Sequence, residues 1–249
     1  MRWIKTFWPD LKDLCQTSLN GCYEEMELTT MLKTAIMKIL RKGEKCPLEP
    51  GNYRPISLLS VFYKIGSGCI TRRLETVMGK IIGTQQKAYS RDRNIGSILL
   101  NLLNMMDFFN KKKMESLILL VDFKKAFDSI YTKFIDSALA TFNCGPSFRR
   151  WVKLFFSGRQ TYLILHSYLG ESIRLEQGVP QGNVLSPYIF NICVEILLLK
   201  ICHTKELKGV KFANREARAE CFADDTSVCI KRTEKNLREL VKIITDFSK

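Results

Sequence analysis

The sequence has few residues suited to a zinc site or a disulfide framework. It contains only two histidines, His166 and His203, and none of its nine cysteines forms a C-x-x-C pair. The odd number and scattered positions of the cysteines indicate reduced thiols in an intracellular protein. Charges interrupt the N-terminal segment, and no stretch approaches the roughly 18 to 20 apolar residues of a membrane span. We therefore expect no secretion and no membrane partner.

Acidic residues are fewer than basic residues in this sequence. The chain has 25 Asp plus Glu against 39 Lys plus Arg, which gives a formal net charge of +14. An excess of this size is typical of proteins with a polyanionic partner. The basic residues form separate clusters, near residues 38–45, 111–113, 149–153 and 231–238. Each cluster alone is better explained as a solvated helix face, but together they favour a nucleic-acid surface over a membrane surface.

Hydrophobic periodicity predicts a mixed fold, α/β or α+β, with one large core or two lobes. Helices are predicted over residues 1–45, 57–78, 95–109 and 126–142, from Pro146, from Ser186 and over 234–247. The apolar run "LILLV" predicts a central buried strand that ends at Asp122. A hairpin with Gly170 at its turn and a strand–turn–strand over "CFADDTSVCI" complete the pattern.

Two of the predicted strands end at acidic residues. Asp122 follows "LILLV", and Asp224 with Asp225 follows "CFA". Adjacent strands of one sheet would bring these carboxylates together, where they repel one another unless cations neutralise them. Hard oxygen ligands of this kind suit Mg²⁺. Aspartate is also common in turns, so the adjacent pair alone is weak evidence for a metal.

Further motifs accompany the aspartates in a characteristic order. These are "NYRPISLL" at 52–59, "QKAY" with "RDRN" at 86–94, "DFKKAFDSI" at 122–130, "QGVPQGNVLSP" at 177–187 and "FADD" at 222–225. In this order and spacing they resemble the reverse transcriptase domain of non-LTR (LINE-type) retrotransposons, over about residues 36–249. The resemblance implies an α+β right-hand polymerase fold. It divides the chain into an N-terminal helical extension (1–50), fingers (51–116) and a truncated palm (117–249).

The activity implied by the resemblance is RNA-directed DNA synthesis from dNTPs on an RNA template with a DNA primer. Two Mg²⁺ ions would be held by Asp122, Asp224 and Asp225, and Phe123 is included in the metal site. One ion would lower the pKa of the primer 3′-hydroxyl, and the other would hold the triphosphate.

The resemblance assigns the nucleotide to residues in two further motifs. Phe127 would lie under the incoming sugar and exclude a 2′-hydroxyl, although alone it is better explained as a core residue of a helix. Gln181 and Gly182 would contact the dNTP, and Gly178 and Pro180 the template and primer. The same glycine-rich segment could instead be a simple connector.

Positive charge at the triphosphate is assigned first to Arg54, with Lys64 and Arg93 as weaker candidates. Each could equally form a surface ion pair. The sequence departs from the family pattern beside Arg93, where Asp92 replaces a common glycine. That replacement adds negative charge and removes a flexible position.

The given sequence reaches Lys249 within the helix after "FADD", and we expect a chain that lacks the thumb and the endonuclease of the family. We expect a retroelement fragment, located in the nucleus and cytoplasm by family habit, with little processive synthesis. An alternative is a catalytically inactive remnant that still binds nucleic acid. An RNA-templated RNA polymerase is disfavoured by Phe127, and the oligomeric state stays open.

Overall fold

A computed structural model describes residues 2–89, 93–165, 168–212 and 215–248. The chain forms two compact units. The first unit comprises Met1–Arg73 and Phe127–Ser186, and the second comprises Leu74–Ala126 and Pro187–Lys249. Each unit is built from two separate stretches of chain, so these units do not correspond to the predicted domains. The domain boundaries after residues 50 and 116 therefore stay a prediction.

The elements are as follows in chain order. The helices are α1 (Arg2–Thr6), α2 (Trp8–Glu25), α3 (Thr30–Lys33), α4 (Val61–Ile81), α5 (Ile95–Lys111), α6 (Ala126–Ser129), α7 (Thr132–Thr141), α8 (Pro146–Phe156), α9 (Ser186–His203) and α10 (Glu234–Phe247). The strands are β1 (Thr34–Arg41), β2 (Tyr53–Leu58), β3 (Ser116–Val121), β4 (Arg159–Leu165), β5 (Tyr168–Leu175), β6 (Val210–Phe212), β7 (Arg215–Ala217), β8 (Ala219–Phe222) and β9 (Asp225–Lys231). This mixture of helices and largely antiparallel sheets confirms the α+β class.

The first unit contains a four-stranded sheet in the order β2-β1-β4-β5. Strand β1 pairs antiparallel with β2 and parallel with β4. The predicted helix over residues 1–45 is therefore wrong beyond Lys33, and the predicted helix over 57–78 begins only at Val61. Pairing on both edges of β1 outweighs the helical spacing of its apolar residues, because short apolar runs carry no decisive local preference.

The core of the first unit lies between α4, α7 and α8. Tyr63 is buried edge-on against Phe155, with ring centroids 5.1 Å apart, and its hydroxyl donates to the Phe155 carbonyl at 2.6 Å. The predicted helix over 126–142 is broken between α6 and α7. It breaks because the Ile130 carbonyl accepts from the Gly178 amide at 2.7 Å and Tyr131 bridges to Gln177.

The hairpin β4–β5 confirms the predicted pair of strands. Gly170 lies inside β5 rather than at the turn, so that detail is wrong. Strand β4 ends at Leu165 and β5 begins at Tyr168, and His166 lies outside the described residues. The register pairs Leu169 and Ser172, on either side of Gly170, with residues of β4, which is why Gly170 lies within the strand.

The second unit contains a three-stranded antiparallel sheet in the order β3-β9-β8. Strand β3 forms as predicted, but it lies at the edge of this sheet and β9 is central. Ile118 of β3 packs against the cluster of Met105 and Phe109 on α5, whereas Leu120, two residues further along the same face, is 77% exposed. The continuous apolar run therefore marks a half-buried edge strand rather than a central buried one.

Among the described helices, α9 is the one that is both long enough and apolar enough to cross a membrane. By length and composition, Ser186–His203 could cross a membrane, and 61% of it is buried inside the fold. The expectation that no stretch reaches this length is wrong. A buried share of this size is typical of a helix that packs inside a folded core, and Asn191 and Glu195 place polar groups on it.

Candidate active site

The second unit brings the three predicted aspartates to one end of its sheet. Val121, the last residue of β3, pairs with Thr226 of β9, so Asp122 follows at the end of β9 that carries Asp225. Phe222 pairs with Asp225, which leaves Ala223 and Asp224 as the two-residue loop of a hairpin. We call residues 222–225 the aspartate turn. The convergence predicted from sequence is therefore present in the backbone register.

The backbone of the aspartate turn is strained at Ala223. Its φ is +59°, at the first loop position, where tight hairpins prefer glycine. A residue with a Cβ at positive φ costs about 1 kcal/mol or more relative to its relaxed conformation. Surrounding contacts must therefore hold this conformation.

The aspartates influence one another electrostatically. Burial raises the pKa of Asp224, and the negative charges of Asp225 and Asp122 raise it further. The pKa of the Tyr89 hydroxyl is also raised, first by burial and then by the charge of Asp224. This end of the sheet thus concentrates negative potential, which a divalent cation would relieve.

The donor set fits a hard divalent cation, because it consists of carboxylate oxygens. In the described ranges, however, no three His, Cys, Asp or Glu side chains are close enough to form a ready-made metal site. Phe123, the fourth predicted member, packs its ring on Phe247 with centroids 6.3 Å apart, and its carbonyl accepts from the Ala126 amide. The three carboxylates would have to turn toward a shared ion.

A buried glutamine missed by the sequence analysis contacts the aspartate turn. Gln86 is fully buried, and its Oε1 accepts from the Ala223 amide at 3.0 Å. The backbone beside Gln86 also pairs with β8, since the Lys87 amide donates to Cys221 at 2.8 Å and the Cys221 amide to Gln85 at 2.9 Å. "QKAY" was recognised as a motif, but a glutamine in a polar stretch carries no sign of burial.

Arg93 is engaged by backbone carbonyls. Its guanidinium donates to the carbonyls of Gly83 at 2.5 Å and Gln86 at 2.7 Å. It therefore braces the segment that carries Gln86, and a triphosphate contact would require it to release these carbonyls. Its role at the dNTP stays a prediction. Asp92, the departure noted beside it, lies outside the described residues.

Helix α9 supports the same segment with two buried polar side chains. Asn191 donates to the Ala88 carbonyl at 2.7 Å, and Glu195 accepts from the Gly83 amide at 2.9 Å. The second carboxylate oxygen of Glu195 is buried without a hydrogen-bond partner. Burial raises the pKa of Glu195, against the opposing effects of the Gly83 amide and the Arg93 charge.

We expect Glu195→Gln to change how stability depends on pH. Because the folded-state pKa is raised, the protonated carboxyl stabilises the fold at low pH, and that stability is lost as pH rises through the folded pKa. Glutamine keeps an acceptor for Gly83 and does not titrate. The variant should therefore gain in melting temperature relative to wild type as pH rises above the ordinary pKa of a glutamate, about 4.3. A difference that is constant over this range would contradict the assignment.

The first unit holds the other predicted site residues on the loop of residues 177–182. The Gly178 amide donates to Ile130, and the Val179 amide donates to the carbonyl of Phe127 at 2.7 Å. The Ser57 amide of β2 donates to the Gln181 carbonyl at 3.1 Å. The loop is thus pinned to α6 on one side and β2 on the other. It is more than a connector between β5 and α9.

Two glycines are required by this packing. Gly178 has φ +81°, and a Cβ there would lie 2.9 Å from the Asp128 backbone. Gly182 has φ +109°, and a Cβ there would lie 2.7 Å from the Ser57 carbonyl. Any side chain at either position would clash with backbone as well as strain φ.

Gln181 and a buried arginine line a cavity of about 440 Å³ in the first unit. The Gln181 side-chain amide donates to both oxygens of Asp128, at 3.2 and 3.3 Å. Arg159 donates to the carbonyls of Phe156, Gln177 and Gly178. Burial lowers its pKa, against the opposing effects of Tyr63 and Asp128. Sequence analysis missed Arg159, since an arginine at a strand start normally indicates a solvated end.

The remaining predicted residues differ in exposure. Pro180 is buried in the 177–182 loop, and Phe127 is half-buried on α6. Arg54 is exposed on β2 opposite Leu40 of β1, and Lys64 is half-buried in the first turn of α4. The first unit therefore gathers Phe127, Gly178, Pro180, Gln181 and Gly182. Arg54 is three residues from the Ser57 contact.

Comparison with solved structures defines the class of fold. The chain is similar to the structure of apo telomerase from Candida tropicalis truncated from its C-terminal domain, with a TM-score of 0.60. That match covers 88% of this chain and 47% of the other, at 12% sequence identity. The fold is that of a right-hand polymerase, which confirms the fold expected from the motifs.

A family model described as reverse transcriptase (RNA-dependent DNA polymerase) matches residues 39–249. This chain belongs to that family. Members of the family bind a nucleic acid template and primer and generally use divalent metal ions. The family expected from the motifs "NYRP", "DFKKAFD", "QGVPQG" and "FADD" is therefore confirmed, while the roles of their individual residues stay predictions.

The curated relatives are proteins of LINE-type elements, which confirms the resemblance to that branch. The uncharacterized 149 kDa protein of transposon TX1 from Xenopus laevis is 25% identical over 228 residues, covering 90% of this chain and 17% of that protein. The Pol polyprotein of element R2 from Nasonia vitripennis is 27% identical, covering 80% and 19%. The RNA-directed DNA polymerase of mobile element jockey from Drosophila funebris is 25% identical, covering 80% and 21%. The chain thus spans about a fifth of these relatives.

Proposed function

We propose that this chain is the part of a retroelement protein that copies RNA into DNA. The observation that carries the proposal is the register that brings Asp122, Asp224 and Asp225 to one end of β3-β9-β8. The net charge of +14 supports binding of an RNA–DNA hybrid through its phosphates. The family match supports dNTPs as the substrates.

The three aspartates are proposed to hold two Mg²⁺ ions, with Phe123 beside them. When bound, such a pair lowers the pKa of a primer 3′-hydroxyl and stabilises charge on a triphosphate. The protein's own contribution is to keep the three carboxylates at one end of the sheet, with Asp224 half-buried, where its oxygens would interact more strongly with a cation than in water.

The first unit is proposed to hold the nucleotide. The 177–182 loop would present Gln181 to the incoming dNTP, with Gly182 allowing close approach of backbone, while Gly178 and Pro180 would support template and primer. Arg54 is the preferred cation for the triphosphate because it is exposed on β2. Lys64 and Arg93 remain secondary, the latter since its guanidinium is held by carbonyls.

The test is primer extension by this chain on poly(rA) annealed to oligo(dT), with dTTP and Mg²⁺. Extension at any length supports the proposal, and long products would contradict the expected weak processivity. If the chain binds the hybrid with strong salt dependence but never extends it, the chain is the inactive nucleic-acid-binding remnant instead.

Phe127 provides a prediction on sugar selection. We expect Phe127→Val to extend the primer with UTP at least tenfold faster relative to dTTP than wild type does, because a smaller side chain would leave room for a 2′-hydroxyl. The measurement is the ratio of incorporation rates for the two nucleotides. Phe134→Val on α7, outside this motif, is the matched control and should leave the ratio unchanged. An unchanged ratio in Phe127→Val would refute the steric role.

We also propose an intracellular location, in the nucleus and cytoplasm, with no secretion and no membrane partner. Each of the nine cysteines is a free thiol, which suits a reducing compartment. Microscopy of a tagged chain, with and without α9 intact, would test the proposal.

A further inference from the structure

A buried side chain from outside its own sheet, that of Gln86, contacts the aspartate turn. Gln86 contacts Ala223 through both backbone groups of that residue. Its Oε1 accepts from the Ala223 amide at 3.0 Å, and its Nε2 donates to the Ala223 carbonyl at 3.4 Å. The side-chain amide therefore pairs with Ala223 much as a neighbouring strand would.

The contact with Gln86 is made by the strained residue of the aspartate turn. Ala223 has positive φ, and its neighbour Asp224 is one of the proposed metal ligands. A change in the Ala223 backbone would redirect the Asp224 side chain. The Cys221 thiol also donates to the Ala223 carbonyl, at 3.0 Å, whereas within the described ranges the Ala223 amide donates to Gln86 alone.

Gln86 is itself fixed from several directions within the second unit. Its Oε1 also accepts from the Ala88 amide at 3.0 Å, and its carbonyl accepts from Arg93. Asn191 of α9 holds the Ala88 carbonyl. A buried glutamine with this many partners has little freedom to rotate away. Contacts therefore run from Asn191 of α9 through the segment of residues 83–88 to Ala223, and they restrain the aspartate turn.

We propose that Gln86 is a positioning residue that holds Ala223 in its positive-φ conformation and thereby aims Asp224 at the metal site. The inference rests on the proposed function for its metal-binding consequence. The proposal also predicts that Gln86 restrains the Ala223 amide, and that prediction does not depend on a bound metal.

The test uses the whole chain carrying Gln86→Met, which preserves side-chain length while removing the acceptor and the donor. The matched control is Asn236→Leu. Asn236 is equally buried in the same unit and bonds the backbone of Lys208 and Lys231, away from the turn. The melting temperature of each variant reports the general cost of losing a buried amide.

The first measurement is amide hydrogen exchange in protein labelled with ¹⁵N-alanine. Both donors to Gln86 Oε1 are alanines, so the resonances of Ala88 and Ala223 report the contact directly. We expect Gln86→Met to speed exchange at Ala223 at least tenfold, while Ala138 in α7 is unchanged. Unchanged exchange at Ala223, or equal acceleration in Asn236→Leu, would overturn the proposal.

The second measurement is binding of Tb³⁺, detected by luminescence sensitised through tyrosine, since Tyr89 lies within electrostatic reach of Asp224. The signal lost in Asp224→Asn defines the site. We expect Gln86→Met to weaken this Asp224-dependent binding about tenfold, as for residues that orient metal ligands, and Asn236→Leu to leave it intact.

The two measurements separate the possible failures. Faster exchange at Ala223 with unchanged Tb³⁺ affinity would refute the aiming of Asp224. If wild type showed no Asp224-dependent Tb³⁺ signal, the proposed metal site would fail, while the exchange rates would still decide whether Gln86 restrains the turn.

Discussion

Asp224→Asn should reduce primer extension by about three orders of magnitude without unfolding the protein. Asparagine keeps the shape of the side chain but removes the charge that would bind the cation. Metal ions contribute several kcal/mol to such transition states, and each 1.4 kcal/mol is a factor of ten. Because Asp225 and Asp122 repel the Asp224 charge, the melting temperature of the metal-free protein should not fall. Initial rates with Mg²⁺ and thermal melts check both parts.

A matched control separates the local effect from a general loss of negative charge. Asp107→Asn removes an exposed carboxylate from α5, where Asp107 pairs with Lys111 at 2.7 Å. This variant should extend primers at the wild-type rate. If Asp224→Asn retained more than about a tenth of the wild-type rate, the aspartate turn would not be the metal site.

Arg159→Met should lower the free energy of unfolding of the first unit by about 2 to 4 kcal/mol. The guanidinium is buried and donates to three carbonyls, those of Phe156, Gln177 and Gly178. Methionine fills much of the space but leaves these carbonyls without a donor. The loss would also release the 177–182 loop, so nucleotide binding should weaken together with stability. Urea denaturation followed by tryptophan fluorescence, with Trp151 in this unit, measures the change.

Arg149→Met is the control for Arg159. Arg149 forms a two-point ion pair with Asp136, at 2.9 and 2.6 Å, in the same unit but at its surface. Exposed pairs contribute about 0 to 1 kcal/mol, so this variant should unfold close to wild type. An equal loss of stability in the two variants would show that burial and the carbonyl contacts of Arg159 do not matter.

The candidate site residues could be predicted from sequence because their local signals are strong. Asp122 and the pair Asp224–Asp225 follow apolar strand segments, and strand ends are marked by an abrupt change in polarity. The glycines of "QGVPQG" signalled an irregular backbone, and Gly178 and Gly182 do have positive φ. In each case the signal lies within a few residues of the feature.

The errors share a different cause. Strand β1 has apolar residues at helical spacing, yet it pairs with β2 and with β4, which is more than a hundred residues away. The helix predicted over 126–142 breaks because a distant loop bonds to Ile130. Strand β9 is central because it pairs with both β3 and β8, and β3 therefore lies at an edge of the sheet. None of these partners can be identified from the local pattern.

The family, the α+β class and the three candidate aspartates could be predicted without a structure, since these depend on residue types in order along the chain. The tertiary structure alone decided which polar groups are buried. From sequence, Gln86 and Arg159 look like ordinary surface residues. In the fold, Gln86 accepts from the backbone of Ala223, and Arg159 donates to the backbone of Gly178, which is distant in sequence. The physical reason is that a buried backbone group must be paired, and its partner is chosen by proximity in the fold rather than along the chain.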